Sequence, residues 1–425
     1  MAEQGNGEHV SLDVHLISRY KTMVLGDPFI STNTCIFRVP DRIKMQNARA
    51  YEPYAFSLGP WHFGKQHLMD AQKFKIYFLQ GLVRRFPNPD SKVEELEQVI
   101  KDVQSRACEC YGDWAAINVT KEEFEKILML DGCFIIELLR KLAAEIPIQE
   151  GDSTFFSSNA MYPVLFHDLF LLENQIPWFV LELLYDRTSG NGSKPLAEIA
   201  TEFFIRFAFS HDKLQTEPEI LSSIEIKHIL DLARHYLGLS SEVGSSVFQL
   251  YKHTIPSATR LKEAGVKFKR VESRRILDVR FKNGVLEIPT LLIYITSEAI
   301  FRNLISFEQC CPFYAPRVAC YARLLDGLVD TPDDVNILSR AGIFNNWLTV
   351  KDASRLFDGL NNGNSIPIFY YAELCEQVNA YCQRWWPKWR AFYIHNYFSK
   401  PWAIVSQAFA IAILVLTFLQ AFHCK

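Results

Sequence analysis

Much of the chain places apolar residues at steps of three and four, the spacing of a helix with one buried face. Ala71, Phe74, Phe78 and Leu82 follow it. Val93, Leu96, Ile100, Val103, Ala107 and Cys110 follow it again, with Glu94, Glu95, Lys101 and Asp102 between them. Pro87-Asn88-Pro89-Asp90-Ser91 is the turn separating these two helices, with Asp90 or Ser91 as the expected cap. Thr120-Lys121-Glu122-Glu123 has the form of a capping box and opens a third helix through Phe124, Ile127 and Leu128 to Leu142. Further helices are expected over 203–209, 224–237 and from Ser297 through Phe307. Asp330-Thr331-Pro332-Asp333-Asp334-Val335 starts another, its acids close to the positive end of the helix dipole, which accounts for them without a metal. A last helix carries Leu374, Val378, Tyr381 and Trp385, and Pro387 should kink or end it.

Two stretches depart from that period. Prolines 53 and 60 with glycines 59 and 64 make Tyr51–Gly64 an extended, aromatic-rich segment packed on the helices that follow. From Val266 the pattern alternates, and Asn283-Gly284 between Asp278–Lys282 and Val285–Ile288 reads as a type I′ hairpin. Gly151–Asn159 and Thr188–Ser193 read as polar loops.

Asp168–Leu181 is apolar on all sides and is predicted to be a central helix, broken near Pro177 and resumed. Glu173, Asn174 and Gln175 sit inside this run. Buried polar groups need partners, so a local hydrogen-bond network at the break is expected. A carboxylate and two amides lack a nucleophile, which favours a structural role over a catalytic one. His62 is the remaining weak candidate for a catalytic or ligand role, its bland alternative being an aromatic-packed, hydrogen-bonded histidine.

From Pro401 to Phe422 no residue carries a formal charge, and 11 are Ile, Val, Leu or Phe. A helix of that length covers about 31 Å, close to a bilayer's hydrocarbon core of about 30 Å. A membrane anchor is therefore expected, built from Trp402, Ile404, Phe409, Ile411, Leu414, Leu416, Phe418, Leu419 and Phe422. Arg384, Trp385, Trp386 and Trp389 are expected as an interfacial belt beside it. The four cations Arg384, Lys388, Arg390 and Lys400 precede the stretch and Lys425 alone follows, which places the body in the cytoplasm of a single-pass protein of the plasma membrane or an endomembrane.

Composition narrows the class. With 49% hydrophobic and 22% charged residues, the 425-residue chain packs a core, and its net charge of −3 argues against nucleic-acid binding. The ten cysteines form no C-x-x-C pair, so zinc is not expected, and the default is free thiols. Residues 1–26 have acids and no unbroken apolar run, unlike a secretory signal. Phosphate-loop, dinucleotide, zinc-protease and nucleophile-elbow motifs are all missing, so no catalytic residue, cofactor or metal is expected. The predicted fold is mainly α: a large helical domain with one small β-hairpin or sheet insertion and a C-terminal transmembrane helix. Its parts are a polar segment 1–32, one helical domain 33–398, a span 401–422 and a tail 423–425.

Several blocks in order resemble the plant family called domain of unknown function 247: Ile36–Pro40, Tyr51–Gly64, Leu130–Leu139, Asp168–Leu181, Ala258–Lys269, Phe281–Leu291, Phe301–Gln309, Asp326–Ile343 and Tyr397–Gln420. Leu172-Glu173-Asn174-Gln175-Ile176-Pro177 is similar to the family's signature. The resemblance implies a land-plant protein, mostly helical, ending in one membrane span. Some grass relatives are associated with self-incompatibility, which implies a partner-binding role, and the family brings no catalytic residues. The expected function is thus recognition or signalling by binding a protein partner at a lipid membrane. An enzyme of unrecognised type acting near the membrane, or a member of a self-incompatibility-like system, is the alternative.

Overall fold

The computed structural model describes residues 33–156, 161–190, 192–204, 225–237, 254–272, 275–311, 314–360, 366, 368–393 and 401–423. The first layer consists of α1 (Gln72–Val83), α2 (Pro89–Glu109), α3 (Lys121–Leu142), α4 (Met161–Leu169), α5 (Trp178–Thr188) and α6 (Leu196–Phe204). Helix α3 is its axis and packs on α1, α2, α5 and α6. The reason lies in its sequence: Thr120 and Glu123 close the expected capping box, and beyond it the buried positions run almost unbroken from Met129 to Leu142. Gly132 lets α5 approach closely, since a Cβ there would lie 2.5 Å from Leu184 Cδ1.

Aromatic packing fills the space beside α3. Phe134 lies 5.3 Å from both Phe56 and Phe78, and Phe78 lies 5.2 Å from Phe155, measured between ring centroids. Each fully buried ring of this kind contributes about 1.5–3 kcal/mol by leaving water. The stacked Phe56–Phe134 pair and the two edge-to-face pairs each add about 0.5–1.5 kcal/mol.

The second layer holds α7 (Ile229–Tyr236), α8 (Ala258–Glu263), α9 (Ser297–Cys310), α10 (Arg317–Leu328), α11 (Pro332–Arg340) and α12 (Val350–Asp358), followed by α13 (Ala372–Cys382) and α14 (Trp385–Tyr393). Strands β1 (Lys267–Val271), β2 (Arg280–Lys282) and β3 (Val285–Pro289) form the expected small sheet in the order β1-β3-β2. Its hairpin turns at Asn283 and Gly284, both left-handed with φ of 52° and 77°, as the type I′ reading required. The parallel pairing of β1 with β3 went unforeseen, as did the separate parallel pair of β4 (Leu291–Ile293) and β5 (Phe344–Asn346). Short parallel strands carry no local turn signal.

Three local expectations are corrected. Asn88, not Asp90 or Ser91, caps α2: its side chain accepts the Ser91 N–H and Pro89 takes the first helical position. Gly151–Asn159 is not all loop, because Ser153–Phe156 form a helical turn. The break at Pro177 is far wider than one kink: α4 stops at Leu169, and α5 begins only at Trp178. Pro387 behaves as expected of a helix breaker, with α13 ending at Cys382 and the proline in the first turn of α14.

The expected C-terminal transmembrane helix is not retained. Helix α15 (Pro401–His423) forms there, and Phe409, Ile411, Leu414, Leu416, Phe418 and Leu419 are exposed. Among the described residues, however, no helix is long and apolar enough to cross a membrane. The part of α15 with described side chains, 409–420, covers about 18 Å against the roughly 30 Å of a hydrocarbon core. The side chains of Trp402, Ile404 and Phe422 lie outside the described residues, as does that of Trp386. The interfacial belt loses its premise with the span. Trp385 and Trp389 remain exposed on α14 with ring centroids 6.5 Å apart, and Arg384 stacks on Tyr381.

Candidate functional site

The loop between α4 and α5 buries the polar groups singled out in the sequence: Glu173 is 3% exposed, Asn174 0% and Gln175 2%. Each has a distinct set of partners, and most of those partners are main chain. Asn174 Oδ1 accepts the Leu58 N–H at 2.6 Å, while its Nδ2 donates to the carbonyls of Phe56 and Asp168, both at 2.8 Å. Gln175 Nε2 donates to Leu169 and Leu171 carbonyls at 2.7 and 2.8 Å, and its Oε1 accepts the Leu230 N–H at 3.1 Å. The loop cannot continue α4, so these two amides satisfy the carbonyls that a helix would have satisfied itself.

Two carboxylates outside the motif complete the arrangement, and the sequence pattern did not single them out. Asp168 accepts three successive N–H groups, from Tyr54 and Ala55 at 2.8 Å and from Phe56 at 2.7 Å. It also meets His167 Nδ1 at 2.9 Å, and Tyr54 stacks on the His167 ring with centroids 3.9 Å apart. Asp131 of α3 accepts the Gly59 N–H at 2.9 Å and pairs with Lys75 of α1 at 2.5 Å, and Lys75 also donates to the Ser57 carbonyl. Burial pushes the Asp131 carboxyl upward against the opposing pull of Lys75. Together these groups grip the extended segment 54–59, which the flanking Pro53 and Pro60 keep from joining a helix.

Glu173 faces the other way. Its Oε1 accepts the Val39 N–H at 2.8 Å, and Lys44 Nζ reaches the carboxylate at 2.7 Å. His62 Nε2 lies 3.5 Å away, so the structure brings His62 and Glu173 together across 111 positions of sequence. The histidine is nonetheless neutral. Burial first, then the cations Lys65 and Lys44 and the nearby His67, push it down to about 3, and the carboxylate's charge is already answered by Lys44. Neither ring nitrogen of His62 makes a hydrogen bond. Cys310 stands near Glu173, and burial pushes its thiol up to about 11, with Cys311 and Glu173 adding to the rise. A proton-transfer site needs a base within about 2.6–3.2 Å of the group it serves, and among the described residues no such pair exists around His62. Among the described residues no group of three His, Cys, Asp or Glu could hold a metal ion.

A separate cavity of about 940 Å³ opens beside α5, between the C-terminal end of α2 and residues 189–198. Cys35, Cys110, Arg106, Trp178 and Lys227 are on its wall, and none of the four polar candidates reaches it.

A family model described as plant protein of unknown function, domain of unknown function 247, matches residues 36–416. The chain is similar to a UPF0481 protein of Arabidopsis thaliana, at 28% identity over 413 residues covering 91% of this chain and 85% of the relative. A putative UPF0481 protein of the same plant is 21% identical over 483 residues, covering 91% and 89% respectively. No solved structure matches.

Proposed function

Given that the chain belongs to this plant family of unknown function, we propose that it acts by binding another protein and not by turning over a substrate. One observation carries the reading. While the motif's polar groups are occupied in holding the chain, three large apolar side chains on hydrogen-bonded neighbouring segments are exposed: Met45 at 80%, Ile295 at 76% and Trp347 at 66%. They are held on rigid supports. Trp347 follows β5 directly, and its N–H bonds to the Ile293 carbonyl of β4 at 3.0 Å. Its ring lies 5.9 Å from that of Tyr294. Asn47 bonds Glu298 in the first turn of α9 at 2.8 Å, which holds the Met45 turn beside the Ile295 loop. Exposed apolar groups on neighbouring segments mark association surfaces, and tryptophan is among the residues enriched as energetic anchors of such surfaces.

The partner this surface fits is a protein with an apolar cleft deep enough for an indole. A photoreactive residue placed at 345, on β5 two positions before Trp347, tests the reading in plant cells, followed by titration of the captured protein in purified form. Trp347→Ala and Ile295→Asp should each weaken the purified complex by about thirtyfold or more, a loss of about 2 kcal/mol. Unchanged affinity in both variants, or turnover of a small molecule by the protein alone, overturns it.

A further inference from the structure

Two of the cavity's wall residues are cysteines from chain segments 75 positions apart, and their backbones are bonded to each other. The Cys110 carbonyl accepts the N–H groups of both Cys35 at 3.0 Å and Ile36 at 2.8 Å. Ile36 and Tyr111 then pair as an isolated parallel bridge, and Gly112 N–H returns to the Ile36 carbonyl at 2.9 Å. The main chains therefore come as close as a disulfide requires. We propose that Cys35 and Cys110 are a thiol-modification site, a dithiol that hydrogen peroxide entering the cavity converts to a disulfide.

The surroundings divide the labour between the two sulfurs. The neighbouring Cys35 side chain, with Arg106 and Lys227 behind it, holds Cys110 below its usual value despite burial, and the Cys110 thiol itself donates to the Arg106 carbonyl at 3.6 Å. The same proximity to Cys110, with burial and the Asp231 charge, pushes Cys35 well up. Cys110 is thus the attacking sulfur and Cys35 the resolving one. The Cys110 thiolate attacks one peroxide oxygen, the O–O bond breaks, and the departing hydroxide takes a proton to become water. Cys110 is left as a sulfenic acid. The Cys35 sulfur then attacks it, the S–S bond forms, the S–O bond breaks, and the second hydroxide leaves as water with the Cys35 proton. One peroxide is reduced to two waters, and two thiols are oxidised to one disulfide.

Elsewhere burial works against reaction. It pushes the thiols of Cys133, Cys320 and Cys375 up to about 12 and that of Cys108 up to about 11. These four thiols thus serve as internal references.

The experiment treats the reduced full-length protein with hydrogen peroxide and follows each cysteine by differential alkylation and peptide mapping. A Cys35–Cys110 disulfide should appear about tenfold faster than any change at Cys133 or Cys320. In C35S, Cys110 should instead accumulate as a sulfenic acid that a 1,3-diketone traps, and in C110S Cys35 should stay reduced. The wild-type measurement stands alone should either variant fail to fold. Retention of both thiols while other cysteines oxidise, or pairing of Cys35 or Cys110 with a different cysteine, overturns the proposal.

Discussion

Asp168 closes on Phe56 across 112 positions of sequence, its Oδ2 accepting the Phe56 N–H at 2.7 Å as the last of three consecutive main-chain donors. Hydrogen bonds to an ionised group are each worth about 1.5–3 kcal/mol, and unpaired buried N–H groups cost about 1–3 kcal/mol. Asp168→Ala should therefore destabilise the fold by about 3–5 kcal/mol in urea titration. Asp168→Asn, which keeps one acceptor oxygen, should lose about half as much. Equal losses in the two variants would show that packing, not the acceptor, matters here.

Gly59 meets the motif loop from the other side. Its φ is 74°, and a Cβ would stand 2.6 Å from the Gln175 carbonyl oxygen. Left-handed backbone costs an alanine about 1–2 kcal/mol, and the clash adds about 1–3 kcal/mol. Gly59→Ala should lower the thermal midpoint more than Gly64→Ala, where φ is 79° but nothing lies within 4 Å. A reversed order would be inconsistent with the close approach.

Lys75 and Asp131 are both buried, at 1% and 2% exposure, and each is the other's ion. Asp131→Leu alone leaves an ammonium unpaired in the core and should cost about 3–5 kcal/mol. Adding Lys75→Met should restore part of that, though not all, because the Gly59 N–H and Ser57 carbonyl still lose their partners. A double-mutant cycle reads the coupling directly; additive losses would argue against a working pair.

His62 and His228 are both held neutral by burial, pushed down to about 3 and about 4 from an ordinary 6.5. In the unfolded chain they protonate near pH 6.5, so between that pH and about 4 the unfolded state binds more protons. Stability is accordingly full above pH 6.5 and is lost as pH falls, at about 1.4 kcal/mol per pH unit for each histidine fully protonated on unfolding. His62→Gln should flatten this slope by about one proton between pH 4 and 6, measured by unfolding at a series of pH values. An unchanged slope would mean that His62 is already charged in the fold.

What the sequence revealed follows from how local each signal is. The capping box at Thr120 and the Asn283-Gly284 turn each depend on residues within four positions, and both formed as read. The need for a network around Glu173, Asn174 and Gln175 was also legible, because buried amides demand partners. Which partners they take was not. Leu58 and Leu230 contribute plain backbone N–H groups, which leave no mark on sequence, and Asp131 looked like any helical acid. The same strong apolar period made 170–176 look helical, where the side-chain amides of Asn174 and Gln175 instead replace the helical hydrogen bonds.

The grip of the α4–α5 loop on residues 54–59 has a consequence for synthesis. Leu58 cannot meet Asn174 until 116 further residues have been added, and translation at about 5–20 residues per second makes that interval roughly 6 to 23 s. Through it the nascent chain carries the aromatic segment around Phe56 without the Asn174 amide that bonds the Leu58 N–H and the Phe56 carbonyl. A ribosome-associated chaperone that favours aromatic stretches has that interval in which to act, and slow codons upstream of position 174 would lengthen it.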